Sequence, residues 1–383
     1  MAISKKGTVM QPSCQWEGWD VAKTAVPSVA QEDDLSTVRS RIEEVLTDFL
    51  DARMRALDQV PHSNQLAHCV KEFVTCGGKR LRPVLSVLGW QAAQPKRDVP
   101  APVLKTAAAL ELFHAFALIH DDVMDDSDMR RGRPSVHRTM ALRHEAADGP
   151  TPGRVGIGTA ILAGDLALVW SDELLHTAGL QPAQVAAVLP LIDVMRTEIV
   201  CGQYLDLTAA GRPNATVEVA LQVARYKTAK YTFERPLHVG AALAGADGEL
   251  QTALSAYALP VGESFQLRDD LLGTFGDLRQ TGKSVLEDLR DAKPTVLLAI
   301  ARQRATAHQR ALLDQLVGQR GLDEEGATRV RRVLLETGAV NAVESMISER
   351  HQQALQALDA APITPHARTT LRHLADAALW RST

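Results

Sequence analysis

The sequence lacks the features that mark several common classes of protein. Its formal net charge is only -4 over 383 residues, with 42 lysines and arginines against 46 aspartates and glutamates. Nucleic-acid-binding domains usually carry a basic excess, so no nucleic-acid partner is indicated, and any affinity for phosphate must be local. The four cysteines show neither CxxC nor metal-knuckle spacing, which is typical of free thiols in a reducing compartment.

Membrane and secretory signals are also missing from the sequence. The first residues, MAISKKGTVMQPSC, contain no continuous apolar region and no small-residue cleavage site. No stretch reaches the roughly 20 uninterrupted apolar residues of a membrane span. The segment that comes closest, GIGTAILAGDLALVW, is interrupted by Asp165. We therefore expect no transmembrane segment and a cytoplasmic location.

Strand patterns are nearly absent, whereas helical periodicity is widespread. Aromatic residues make up only 4% of the chain, and no run alternates at period two over the length of a strand. From Asp34 onward, apolar residues recur at the helical period, as in LSTVRSRIEEVLTDFLDARMRAL. The hydrophobic content of 45% is sufficient for a sizeable core. We predict a mobile, polar N-terminal tail over residues 1–34 and a single all-α domain over residues 35–383.

A cluster of aspartates stands where a long helical pattern ends. Residues 119–134, IHDDVMDDSDMRRGRP, place five aspartates in eight positions and then two adjacent arginines. Asp121 and Asp125 are one helical turn apart, so their carboxylates share a face, repel each other and oppose the helix dipole. Mg2+ would compensate that charge, because it takes oxygen ligands and bridges carboxylates to phosphates. The alternative is a solvated acidic helix end followed by a basic turn.

A second aspartate pair emerges from another amphipathic pattern, FQLRDDLLGTFGD, about 150 residues later. Several of its polar or small positions fall on one helical stripe: Gln266, Asp269, Asp270, Gly273 and Asp277. Carboxylates that face inward are costly to bury without a cation. In a helical bundle, the two aspartate pairs are therefore predicted to face each other across a cavity.

Basic residues form a third element in CGGKRLRP, residues 76–83. The two glycines let the backbone approach an anion closely, while Lys79, Arg80 and Arg82 converge on it. The alternative is a turn between helices with exposed charges. Further basic positions occur in KTAKYT, TGK and DAKPT, where single lysines are usually solvated surface.

The order of these elements resembles that of a known family. GGKRLRP, DDVMD with RRG, KT, FQLRDD and a downstream GK are similar, in sequence and approximate spacing, to motifs of the trans-isoprenyl diphosphate synthases, the polyprenyl synthetase family. The resemblance covers most of residues 40–300 and is greatest to geranylgeranyl diphosphate synthases. It implies an all-α, isoprenoid synthase-type bundle around a deep central cavity, a homodimer, and three Mg2+ ions in each active site.

The resemblance also implies roles for individual residues. The metal ligands would be Asp121, Asp122, Asp125, Asp269 and Asp270. The contacts to the allylic diphosphate would be Arg130, Lys227, Thr228, Gln266, Lys283 and, as a looser match, Lys293. The isopentenyl diphosphate site would comprise Lys79, Arg82, His114 and Arg131. Gln203 and Asp206, in GQYLDL, match a helix that lines the same cavity. The aspartates, Arg130 and Lys227 would be the catalytic groups.

The activity implied by the resemblance is condensation of isopentenyl diphosphate with a C5 to C15 allylic diphosphate, which gives a longer all-trans prenyl diphosphate. The allylic diphosphate ionises as metals and cations stabilise the leaving group, the alkene adds to the carbocation, and the released diphosphate takes the proton. The sequence before the first motif resembles that of C20 producers, with Phe116 beside the small Ala117 and Phe113 further up. Because one helical turn is roughly as long as one C5 unit, these residues are predicted to set product length.

Two departures from the family pattern leave alternatives open. Gly273 stands at the third aspartate position of the second motif, and DAKPT differs from the family's usual segment at Ala292 and Pro294. A class I terpene cyclase would share the fold and the first motif, but it has no use for GGKRLRP. A non-catalytic partner subunit of an active synthase would agree with Gly273, but not with intact arginines and an intact first motif.

Overall fold

The computed structural model describes residues 29–57, 64–95, 98–144, 151–212, 216–276 and 286–379. Two of the residues discussed above, Asp277 and Lys283, lie outside these ranges, as do residues 1–28 of the predicted tail. The first helix begins at Val29, six residues before the predicted start of the domain. The division into tail and domain remains a prediction.

Helices account for nearly all of the described secondary structure, as the sequence predicts. The first seven are α1 (Val29–Leu57), α2 (Asn64–Thr75), α3 (Leu81–Ala93), α4 (Ala101–Met124), α5 (Val136–Arg143), α6 (Pro152–His176) and α7 (Pro182–Ala209). They are followed by α8 (Val217–Val223), a π-helical segment (Ala224–Glu234), α9 (Arg235–Leu243) and α10 (Gly248–Phe275). The last six are α11 (Glu287–Arg290), α12 (Val296–Arg304), α13 (Ala307–Leu316), α14 (Glu324–Glu336), α15 (Ala339–Ala360) and α16 (Pro365–Leu379). The predicted all-α fold class is confirmed.

The only strands in the described ranges form one small hairpin between α4 and α5. Strand β1 (Met129–Arg130) pairs antiparallel with β2 (Arg133–Pro134), so that Arg130 lies opposite Arg133. Gly132 in the connection has a φ of 74°, a conformation that glycine adopts without strain. The hairpin turns the chain back at the end of α4 and so brings Arg130 to the aspartates that precede it.

Two apolar cores hold the helices together. The larger core includes side chains from α3, α4, α9, the first half of α10 and α16, among them Leu85, Leu112, Leu237 and Tyr257. The hydroxyl of Tyr257 donates to the carbonyl of Leu371 at 2.6 Å, which satisfies a polar group that would otherwise be buried alone. The smaller core joins the second half of α10 to α12–α15. Because α10 takes part in both, its second half is fixed where the second aspartate pair stands.

Two of the described helices, α4 and α6, stand out by their length and apolar composition. By length and composition alone, α4 and α6 could each cross a membrane; in their most apolar windows, 67% and 39% of the residues are buried in the protein. Large apolar side chains stay exposed along α6 and α7: Ile157, Ile161, Leu162, Val169, Val194, Val200, Tyr204 and Leu207. The α4 helix is therefore mainly a core helix, while α6 and α7 each expose several large apolar side chains.

Candidate active site

The five aspartates of the first cluster divide into an inner and an outer group. Asp121 and Asp122 stand in the last turn of α4, and Asp125 follows, donating its backbone N–H to the carbonyl of Asp121 at 2.8 Å. Their side chains are 17%, 1% and 14% exposed, respectively. Asp126 and Asp128 are more exposed and pair with an arginine of α5. The inner group thus differs from a solvated acidic helix end.

Two cations compensate the inner aspartates, one from the hairpin that follows them and one from a distant part of the chain. The guanidinium of Arg130 donates to both oxygens of Asp122, at 2.9 and 3.1 Å from its Nε, and to Asp121 at 3.4 Å. The Nζ of Lys227 lies 3.0 Å from Asp121 and 2.6 Å from Asp206 on α7. Burial alone would raise the pKa of Asp121, but Lys227 and Arg130 outweigh it and lower that pKa to about 2.

Asp125 is less well compensated than its neighbours. Burial, together with repulsion from Asp121, raises the pKa of Asp125 to about 6. Its nearest cation is Lys293, whose Nζ lies 3.8 Å from one carboxylate oxygen. A further positive charge beside Asp125 would therefore stabilise its ionised form.

The second aspartate pair lies in the last two turns of α10 and is held by amide and hydroxyl groups. Asp270 is buried and accepts a hydrogen bond from the Nε2 of Gln266 at 2.8 Å. The Oε1 of Gln266 accepts in turn from the hydroxyl of Thr228 at 2.5 Å. Burial raises the pKa of Asp270 to about 8. Asp269, beside it, is only half-buried.

Lys293 lies beside the first aspartate motif. Besides its contact with Asp125, its Nζ lies 3.2 Å from Asp288, in the short helix α11. The carboxylate of Asp288 occupies the space beside Gly273, at the end of the second motif. The two motifs are linked instead through the π-helical segment, in which Lys227 contacts Asp121 and Thr228 donates to Gln266, the partner of Asp270. The local sequence did not predict Asp288, because Asp288 lies 15 positions after Gly273 and its place beside that glycine depends on the tertiary path of the chain.

The π-helical segment that carries Lys227 and Thr228 packs between Gly202 of α7 and Gly262 of α10. A side chain at Gly202 of α7 would place its Cβ 2.7 Å from the backbone nitrogen of Lys227. A Cβ at Gly262 of α10 would overlap the Cα of Ala229. Backbone therefore packs directly against backbone on both sides of the segment, and this closeness lets Lys227 reach the aspartates.

The residues matched to the isopentenyl diphosphate site lie around the N-terminal end of α3. The Nη2 of Arg82 donates to the hydroxyl of Thr232 at 2.6 Å, and its guanidinium lies 4.3 Å from the ring centre of Tyr231. The hydroxyl of Tyr231 is 3.3 Å from the Nδ1 of His114. Burial and the positive charge of Arg82 lower the pKa of His114, which keeps its imidazole neutral.

The remaining two residues matched to this site, Lys79 and Arg131, lie at the turn of residues 77–80, which precedes α3. Arg131, in the left-handed conformation with a φ of 52°, donates to the carbonyl of Gly77. Lys79 follows in the same turn and is exposed. His114 and Arg131 line a common pocket with Phe73. The structure therefore places Arg82 and Arg131 near the same histidine, His114.

Arg80 is the exception, and its predicted convergence on an anion is wrong. Its side chain is 1% exposed, and it donates to Glu111 at 2.7 Å and to Glu43 at 2.6 and 3.1 Å. A left-handed backbone at Arg80, with a φ of 48°, turns the side chain into the protein, away from Lys79 and Arg82. Arg80 thus ties α1, α3 and α4 together. The sequence signal for this pairing is Glu111, an acid within the otherwise apolar pattern of α4.

An apolar cluster lies below the first motif, where the sequence predicts a limit on product length. Phe113 is buried in it, with its ring 5.3 Å from that of Phe116 and 5.9 Å from that of Tyr231. Ala117 packs at the edge of the cluster, one turn before Asp121. Its other members are Leu110, Met195 and Ile199, with Leu168 at the edge. The three residues predicted to set product length therefore lie together.

The donor chemistry of the two motifs fits Mg2+. Within the described ranges, no three His, Cys, Asp or Glu side chains converge closely enough to hold a metal by themselves. Mg2+ does not require such a cage, since it keeps several waters and binds one or two carboxylates together with substrate phosphates. The donors are all carboxylate oxygens, and two of them, on Asp125 and Asp270, have pKa values raised by burial. The residues present therefore suit a hard divalent cation.

Comparison with known proteins agrees with this geometry. The sequence model of the polyprenyl synthetase family matches residues 63–334. The chain belongs to the polyprenyl synthetase family. The geranylgeranyl diphosphate synthase of Methanosarcina mazei is 30% identical over 327 residues, 85% of this chain and 93% of the relative. The geranylfarnesyl diphosphate synthase of Natronomonas pharaonis is 30% identical over 336 residues, 84% and 92% of the two chains.

Solved structures of polyprenyl synthetases share the fold. A geranylgeranyl pyrophosphate synthase from Corynebacterium glutamicum, complexed with isoprenyl diphosphate and magnesium, aligns with a TM-score of 0.86 and 39% identity, covering 92% of this chain and 99% of its own. The resemblance seen in the sequence is thus confirmed, and the protein is a prenyltransferase. Polyprenyl synthetases use isopentenyl diphosphate and an allylic diphosphate, and they depend on magnesium. Their products differ in length between relatives.

Proposed function

We propose that this polyprenyl synthetase condenses isopentenyl diphosphate with an allylic diphosphate to give geranylgeranyl diphosphate, the C20 product. The observation that carries the proposal is that adjacent residues of the π-helical segment reach both aspartate motifs, Lys227 at Asp121 and Thr228 at Gln266, while an apolar cluster around Phe113 lies further up α4. Charged groups and an apolar space in this order suit a substrate with a diphosphate head and a hydrocarbon tail.

We assign the residues of the site to three sets. The metal ligands are Asp121, Asp122, Asp125, Asp269 and Asp270, holding three Mg2+ ions. The allylic diphosphate set comprises Arg130, Lys227, Thr228, Gln266, Lys283 and Lys293. The isopentenyl diphosphate set comprises Lys79, Arg82, His114 and Arg131. When bound, Mg2+ neutralises charge that develops on the leaving diphosphate.

The protein's own groups act mainly by electrostatics and by exclusion of water. Lys227 and Arg130 already lie within hydrogen-bond reach of the aspartates, so the diphosphate meets preorganised cations and the protein need not rearrange during ionisation. Tyr231, which is buried, and His114, which is half-buried, form part of the wall beside Arg82. The cluster around Phe113 keeps water from the carbocation, which would otherwise be hydrolysed.

We further propose that the protein is a homodimer and works in the cytoplasm. The large apolar side chains that α6 and α7 expose support a subunit interface, because soluble proteins rarely leave large apolar patches uncovered unless they bind something. A second copy that covers Ile161, Val169 and Val200 would remove that surface from water. Sedimentation at several protein concentrations tests the dimer.

The experiment that tests the reaction uses purified protein, Mg2+, labelled isopentenyl diphosphate and, in separate tubes, C5, C10 and C15 allylic primers. The products are dephosphorylated and sized. A discrete C20 alcohol is the expected outcome, and another discrete length would contradict the product while leaving the reaction intact. Turnover that appears only after a second subunit is added would instead favour the non-catalytic partner hypothesis.

Product length has its own test at Ala117. An aromatic ring there would fill the space beside Phe113 and Phe116, so Ala117→Phe should shorten the main product from C20 to C15, about one helical turn. Met124→Phe, at an exposed position of the same helix, is a matched control that should leave the product unchanged. An unchanged C20 product from Ala117→Phe would show that the cavity ends elsewhere.

A further inference from the structure

An arginine of α7 stands at the edge of the apolar cluster around Phe113. Arg196 directly follows Met195 and precedes Ile199 by one turn, and both of these neighbours belong to the cluster. The Cζ of Arg196 lies 5.4 Å from the ring centre of Phe113. Its side chain is 24% exposed, and its Nε is buried without a hydrogen-bond partner among the described residues. An arginine is costly at such a place, because burying a polar group without a partner costs free energy.

The partner of the outer part of this guanidinium is Asp172 of α6. The Nη2 of Arg196 donates to its carboxylate, which is 38% exposed, so water also reaches the pair. Ser171, the neighbour of Asp172, donates its hydroxyl to the carbonyl of Ala109 at 2.8 Å. The ion pair therefore lies near the part of α4 that is about three turns before Asp121.

The position of the ion pair along α7 agrees with its position along α4. Lys227 contacts both Asp121 and Asp206, which places Asp206 level with the end of α4. Arg196 stands ten residues before Asp206, about 15 Å along the helix axis. That distance corresponds to about three C5 units, since one helical turn is roughly as long as one unit. A prenyl chain whose first unit lies level with the aspartates would therefore reach the ion pair with about its fourth.

A hydrocarbon chain that grew further would meet charge instead of apolar surface. An added C5 unit would displace water from the Arg196–Asp172 pair, and removing water from charged groups costs free energy that a hydrocarbon does not return. The ring of Phe113 holds the guanidinium in place by a cation–π contact. Charge at this point thus opposes growth, whereas another apolar side chain would favour it.

We propose that the Arg196–Asp172 ion pair ends the product cavity and determines the greatest length of the product. It acts by charge, in contrast to Phe113, Phe116 and Ala117, which act by size. The proposal rests on the proposed function, because it requires a prenyl chain to grow in the space beside Phe113.

The first test replaces the charge without changing the length of the side chain much. In Arg196→Met, with excess labelled isopentenyl diphosphate, the fraction of product at least one C5 unit longer than the wild-type product should rise by at least about tenfold, the cost of burying a polar group uncompensated. Arg196→Lys keeps the charge and should stay near the wild-type distribution. Arg372→Met makes the same change at an ion pair with Asp359, between α15 and α16, and is the matched control.

A second variant keeps the test valid if Arg196→Met folds poorly. Arg196→Met combined with Asp172→Leu removes both charges, so no carboxylate is left without its partner, and such replacements are often neutral for stability. This double variant should lengthen the product at least as much as the single variant. Melting temperatures report folding, and total incorporation of label reports the rate of condensation.

Two outcomes would overturn the proposal. One is the wild-type product distribution in both Arg196→Met and the double variant, with condensation retained. The other is equal lengthening in Arg196→Lys and Arg196→Met, which would show that the size of the side chain decides and its charge does not. Failure of the proposed function would look different, because the wild-type protein would then extend no allylic primer.

Discussion

The two aspartate motifs of this protein differ in how their negative charge is compensated. The first stands at the end of α4 and is surrounded by cations from other elements, with Arg130 and Lys227 in direct contact with its carboxylates. The second stands at the end of α10, where Asp270 is held by the amide of Gln266. The first motif is therefore preorganised by the protein alone, whereas we expect the second to depend more on a bound cation.

The largest effect is expected from the first motif. Asp121→Ala removes the carboxylate that joins Lys227 to Arg130, and kcat should fall by about 10³-fold, the upper range for loss of one preorganised electrostatic group. Incorporation of labelled isopentenyl diphosphate measures the rate. Asp128→Ala, an exposed aspartate of the same cluster, is the control and should retain activity. Equal losses in the two variants would show that the inner and outer aspartates do not differ in function.

A smaller effect, which depends on the Mg2+ concentration, is expected from the second motif. Asp270→Asn keeps an oxygen that can accept from Gln266, so folding should be preserved, but it removes the negative charge. At limiting Mg2+ the rate should fall by about 10²-fold, and added Mg2+ should restore part of it. Rates measured across a series of Mg2+ concentrations test this. A loss that does not respond to Mg2+ would contradict the difference between the motifs.

The smallest effect is expected from the single hydrogen bond between Thr228, in the π-helical segment, and Gln266, in the second motif. Thr228→Val keeps the shape of the side chain but removes the donor to Gln266, which costs about 1 kcal/mol, or about fivefold in kcat/KM. The loss should fall on the allylic substrate. Thr232→Val removes the partner of Arg82 and should instead affect isopentenyl diphosphate. Identical changes for both substrates in both variants would show that the two sites are not separated as proposed.

Much of this arrangement could be predicted from local sequence. The helical period placed Asp121 and Asp125 on one face, and the charge pattern indicated that a cation joins the two motifs. Contacts between distant parts of the chain could not be found in this way. Lys227 and Asp121 are 106 residues apart, and the pairing of Arg80 with Glu111 depends on a left-handed turn. The partner of Gly273 likewise depends on the tertiary path of the chain.

The π-helical segment has a consequence for how the two substrates meet. Through Lys227 and Thr228 it contacts both aspartate motifs, and one turn later, through Tyr231 and Thr232, it contacts Arg82 of the isopentenyl diphosphate site. A rotation of this one segment would change both sets of contacts together. We therefore expect the affinities for the two proposed substrates to be coupled reciprocally, so that each substrate changes the affinity for the other by the same factor.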